Sequence, residues 1–95
     1  MAQTIPDIEI TEDWKNIEVL TNGAITEGSA FNIQNKENRG KRIIWAEGTE
    51  PTPESTDGGV IYADGENRVA NFDAGSLMIW FRTYSGEATA HAELA

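Results

Sequence analysis

His91 is the only histidine in a chain of 95 residues that has no cysteine. Thiolate catalysis, disulfides and cysteine-based metal sites are therefore excluded, and a structural zinc centre has no ligand set. On an extended strand, side chains two apart share a face, so Thr89 and Glu93 accompany His91. Neither is spaced as the nucleophile or orienting acid of a triad. Ser29, Ser55, Ser76 and Ser85 fall in turns or at strand starts, without the nucleophile-elbow pattern. His91 reads as a half-exposed strand residue. No enzymatic activity and no cofactor are expected.

Carboxylates are the other source of chemistry, with 16 acidic residues against 7 basic ones. Glu47, Glu50, Glu54 and Asp57 share one stretch, and Asp64, Glu66 and Asp73 follow. A glycosidase needs two carboxyls fixed across a cleft, and a calcium site needs several oxygens converging from one loop. Asp64-Gly65-Glu66-Asn67 is too short for an EF-hand loop. These acids read as a solvated surface, and no metal site is expected. A net charge of −9 also argues against nucleic acid and against an anionic membrane surface as partners.

The sharpest charge feature is Lys36-Glu37-Asn38-Arg39-Gly40-Lys41-Arg42. Lys36, Arg39, Lys41 and Arg42 are four of the seven basic residues. They read either as a solubilising hairpin tip or as an electrostatic docking site for an acidic partner, including the acidic N-terminus of another copy. The second feature is aromatic. If Leu77, Ile79 and Phe81 face a core, then Met78, Trp80, Arg82 and Tyr84 face outward together. Met, Trp, Arg and Tyr are enriched in protein interfaces, and Trp14 could join them. The opposite reading buries both faces within one chain. A carbohydrate platform of Trp45, Trp80 and Tyr84 is a further option.

The elements that would position these residues are short strands. Turn signals at Asn22-Gly23, Asn38-Arg39-Gly40, Asp57-Gly58-Gly59, Asp64-Gly65, Asp73-Ala74-Gly75 and Ser85-Gly86 punctuate runs rich in Ile, Val, Phe, Trp and Thr. Strands are expected near 14–20, 28–35, 41–47, 59–63, 67–72, 76–84 and 87–94. Phe31 and Ile33, Ile17 and Val19, and Ala88, Ala90, Ala92 and Leu94 mark inward faces by alternation. No window holds a helical period. The expected fold is all-β: a small antiparallel β-sandwich, jelly-roll or Ig-like, of about seven strands, spanning residues 14–95. Residues 1–13 carry Asp7, Glu9, Glu12 and Asp13 with no basic residue, and read as an extended acidic arm outside it. Residues 47–58 read as a polar, proline-containing loop. The first residues lack both a basic segment and an apolar run, so no signal peptide is expected.

The order of segments carries a resemblance. Gly28-Ser29-Ala30-Phe31-Asn32-Ile33-Gln34-Asn35 is followed by Ile43-Ile44-Trp45-Ala46-Glu47. A loop with Pro51 and Pro53 then leads to Gly58-Gly59-Val60. Ser76-Leu77-Met78-Ile79-Trp80-Phe81-Arg82 comes next, and Gly86-Glu87-Ala88-Thr89-Ala90 closes the chain. Over roughly residues 14–94 this resembles small β-sandwich virion proteins of tailed bacteriophages, of the head-decoration and tail-fibre attachment kinds. The resemblance implies a non-enzymatic structural protein, most readily a capsid decoration protein bound in multiple copies to the outer shell. Copies associated as trimers, a major capsid protein or tail component as partner, and a place on the virion after synthesis in the host cytoplasm would follow. The alternative is a tail-fibre or host-attachment module that recognises a surface glycan.

Overall fold

The computed structural model describes residues 5–37, 41–63 and 68–95. The turn signals at 38–40 and 64–65 lie outside these residues. The elements are β1 (Ile8–Ile10), β2 (Lys15–Asn16), α1 (Ile17–Leu20), β3 (Phe31–Asn35), β4 (Ile43–Glu47), β5 (Gly59–Ile61), β6 (Val69–Phe72), β7 (Ile79–Thr83) and β8 (Ala88–Leu94). They form two four-stranded antiparallel sheets, ordered β1-β8-β3-β6 and β2-β7-β4-β5. Pairing is nested: β1 with β8, β2 with β7, β3 with β6, β4 with β5. This is one long hairpin rolled up on itself, the jelly-roll arrangement rather than the Ig-like one. Among the described residues no helix is long and apolar enough to cross a membrane.

Alternation decides which side chains meet between the sheets. Phe31, Ile33 and Asn35 of β3 are buried while Asn32 and Gln34 are not. On β8, Ala88, Ala90 and Ala92 are fully buried. They lie beside Ile10, Ile8 and Ile33 across the two flanking ladders, so small and large side chains alternate along the sheet. Four rings join the layers. Phe31 and Phe72 of one sheet stack at 4.9 Å. Phe81 of the other meets Phe72 edge-on at 6.0 Å, and Trp45 does so at 5.0 Å. Such pairs add about 0.5–1.5 kcal/mol each beyond area burial. The Trp45 indole lies over Gly59, its partner on β5, where any Cβ would run into the ring.

Among the described residues Asn35 is the one fully buried side-chain amide, and it is satisfied at both ends. Its Nδ2 donates to the carbonyls of Lys41 at 2.9 Å and Ile61 at 3.2 Å, and its Oδ1 accepts from Glu37 N at 2.9 Å. A β3 residue thereby fixes the start of β4 and the end of β5 on the opposite sheet.

Two expectations need correction. Residues 5–10 are extended but do not lie outside the sandwich. β1 is an edge strand on β8, and Ile5, Ile8 and Ile10 are buried. The acids between them face solvent, so the segment is amphipathic rather than simply acidic. Residues 1–4 lie outside the described part. The strand expected over 14–20 is instead the short β2 followed by one helical turn. Asn16 caps that turn by accepting from Val19 N at 2.8 Å. Asn22 and Gly23, both at positive φ, then reverse the chain. Side-chain capping of a free N–H, followed by a left-handed exit, outweighs the β preference of Ile17 and Val19.

Candidate interaction surface

The outward row of β7 is covered by the chain itself. Arg82, on the face opposite Phe81, is buried to 7% exposure. Its Nη1 donates to the carbonyls of Pro53 at 2.8 Å and Ser55 at 3.3 Å, and its Nε to Thr83 O at 2.9 Å. Its guanidinium lies 6.0 Å from the Trp14 ring, and Trp14 Nε1 donates to the same Ser55 carbonyl at 3.1 Å. Trp80 Nε1 donates to Gly48 O at 2.8 Å. The polar loop 48–58 is thus a strap across the outer face, held by three side chains through backbone carbonyls. A carbonyl accepts well from a cation, so Arg82 is satisfied without a carboxylate.

Of the expected interface residues, Trp14 and Arg82 are buried under the strap, and Met78 and Trp80 are half-buried. Tyr84 remains open at 45% exposure. Leu77 is exposed rather than inward, because β7 begins only at Ile79. The carbohydrate platform is not assembled. Trp45 pairs with Phe81 and Trp80 with Ala46, so the two indoles point to opposite faces of the sheet.

The described basic residues of the segment 36–42, Lys36, Lys41 and Arg42, have separate partners. Lys36 donates to Asp7 at 2.7 Å, and His91 Nδ1 lies 3.1 Å from the other Asp7 oxygen. Lys41 Nζ donates to Glu87 O at 3.2 Å. Arg39 lies outside the described residues. Arg42 stands between two tyrosines, its Cζ 5.9 Å from the Tyr62 ring and 5.6 Å from the Tyr84 ring. The β5-β4-β7 register sets this row, since Ile43 pairs with Ile61 on one side and Thr83 on the other. One step outward, Arg42 falls between Tyr62 and Tyr84. Asn35 anchors the row through Lys41 and Ile61. Among the described residues no carboxylate lies within ion-pair distance of Arg42. Tyr62 was not among the sequence candidates, and only its register beside Arg42 makes it one.

At the β7–β8 turn lies a shallow, open acidic hollow of about 580 Å³, lined by Thr11, Glu12, Asp13, Gly86 and Glu87. Glu12 Oε2 accepts from Gly86 N at 2.8 Å, and Thr83 N donates to Thr11 O at 2.9 Å, fixing this corner against the β7–β8 turn. A second hollow of about 140 Å³ on the other sheet, lined by Asn32, Ile33, Gln34, Val69, His91 and Glu93, contains no Phe, Tyr or Trp ring. It is below the usual size of a ligand site, about 300 Å³ or more. No serine hydroxyl among the described residues is bonded to His91. No group of three or more His, Asp or Glu there is placed to hold a metal ion.

The Lys36 ammonium bond, aided by His91, holds the Asp7 carboxyl below the usual carboxylate range. A lowered folded-state value stabilises the fold above about pH 4 and is lost as pH falls through it. Asp7→Asn is therefore expected to lower the melting temperature slightly at pH 7 and not at all near pH 2. A gap that widens on acidification in a thermal melt series would contradict this.

The fold and this surface define a small jelly-roll domain with a strapped outer face and an exposed tyrosine–arginine row. The chain matches no family model, no curated protein and no solved structure.

Proposed function

We propose that this chain is a non-enzymatic structural protein of a tailed-phage virion, a capsid decoration protein bound in multiple copies on the outer shell. The observation that carries the reading is the Tyr62–Arg42–Tyr84 row. It is an exposed cluster of interface-type residues, held rigidly by three strands and Asn35. Rigid aromatic and arginine anchors contribute most to protein interfaces. Two further points support it: the resemblance in segment order, and the jelly roll itself, which recurs in viral capsid and lectin domains. The second is a fold-level analogy. The glycan-binding alternative has less support, since the proposed aromatic platform is split across two faces. Many weak contacts, summed over a shell, would resist outward pressure.

Purified chain mixed with emptied capsids of the phage that carries its gene is expected to co-sediment saturably, in many copies per particle. Absence of any bound protein at about 100 μM, where even weak contacts register, would overturn the reading.

A further inference from the structure

We infer that the Tyr62–Arg42–Tyr84 row is a contact site for a second copy of this chain, and that its receptor is the acidic hollow at Glu12, Asp13 and Glu87. The inference rests on the proposal that the protein assembles in multiple copies, and it names the contact between them.

Three observations meet at this end of the molecule. First, Arg42 is flanked by two rings, and its guanidinium has no carboxylate partner among the described residues. Cation–π attraction to both rings holds the guanidinium near them, and its planar fork of N–H donors suits a carboxylate. Second, Asp13 and Glu87 are exposed, and no ion pair with a cation forms at Glu12, Asp13 or Glu87 among the described residues. Third, a shallow, open depression lies among these acids, accessible to another chain.

Within one chain the arginine and these acids form no ion pair among the described residues. β7 stands between Arg42 and the segment 11–13, which bonds to β7 at Thr83, and two strand spacings make about 10 Å. Glu87 meets Lys41 through its backbone carbonyl only. Between two chains the arginine and the acids can pair. Row and hollow flank the same β7–β8 turn, so the surface is self-complementary: the row of one copy enters the hollow of the other, and the reverse. The broad face of the domain measures 35 by 27 Å. That is enough for the about 800 Å² per partner that specific interfaces bury. A net charge of −9 on each copy opposes association at long range. Physiological salt screens that repulsion beyond about 8 Å, while the close Arg42–carboxylate pairs persist.

The test is sedimentation of the full chain across a concentration series. Mass is expected to rise with concentration below about 100 μM at physiological salt. Arg42→Glu and Asp13→Lys are each expected to weaken association about thirtyfold or more, as loss of a paired interfacial charge does. Glu93→Lys, on the other sheet, makes the same change in net charge as Asp13→Lys and should leave association unchanged. Mixing the Arg42→Glu and Asp13→Lys proteins should restore association, because reversed charges then face each other. Both substitutions are at exposed positions, and circular dichroism checks the fold of each. A wild-type chain that stays monomeric, a mixture that stays dissociated, or an Asp13→Lys protein that behaves like Glu93→Lys would overturn the inference. A wild-type chain that stays monomeric yet still binds emptied capsids would overturn only this contact and leave the virion reading standing.

Discussion

A chain lacking residues 1–10 is expected not to fold cooperatively. Ile5, Ile8 and Ile10 are all buried in the core, and β1 covers the ladder edge of β8. Burying one such side chain stabilises by about 1.5–3 kcal/mol, and a domain of this size holds only about 5–15 kcal/mol in total. Losing three isoleucines together with a row of hydrogen bonds removes most of that margin. The truncated protein should show no sharp thermal transition, and its central alanine strand would be open to aggregation. Retention of a cooperative melt within a few degrees of the intact chain would mean that residues 5–10 are a dispensable arm after all. Ile10→Ala is the milder form of the test, expected to cost about 2–5 kcal/mol.

Arg82→Met is expected to cost about 3 kcal/mol or more. It keeps the apolar stem but removes charged hydrogen bonds to Pro53, Ser55 and Thr83, each contributing about 1.5–3 kcal/mol. For a domain of this length that corresponds to a fall in melting temperature of roughly 12 °C or more. The strap should also loosen, uncovering Trp14 and Trp80. Tryptophan emission should shift to the red and become more accessible to a soluble quencher, while far-ultraviolet circular dichroism stays unchanged. Arg82→Lys should rescue little, because an ammonium cannot reach the same carbonyls with a planar fork. Unchanged melting and unchanged quenching would show that the strap is held by other means.

The two variants mark where the sequence is readable and where it is not. The β3 alternation of Phe31 and Ile33 against Asn32 and Gln34 is visible in the chain, because a strand with one buried face must write that period. Turn residues bound most of the other strands for a similarly local reason. β1 hides because it is only three residues long, Ile8-Glu9-Ile10, and the buried Ile5 before it is out of step with that alternation, with acids filling the gaps. The helical turn at 17–20 is masked by Ile17 and Val19. Its signals are Asn16 and Asn22-Gly23, which read equally well as ordinary turn residues.

The site is less legible than the fold. Arginine is seldom buried, so Arg82 reads as an outward interface residue until the strap carbonyls that satisfy it are seen. Those acceptors are backbone groups of a polar loop, and side-chain types say nothing of them. Arg42 is visible as a charge, but its two tyrosines lie 20 and 42 positions away in the sequence and join it only through strand pairing. Pairing partners are non-local, and no single-strand period reveals them.

The central claim is that this domain assembles on a particle through the tyrosine–arginine end of its outer face. Amide hydrogen exchange of the chain bound to emptied capsids, compared with the free chain, tests it most directly. Protection is predicted at residues 11–13, 41–43 and 83–87, with the outer face of β3, β6 and β8 exchanging as in the free protein. Protection confined to that other sheet, or a bound protein indistinguishable from the free one, would contradict it.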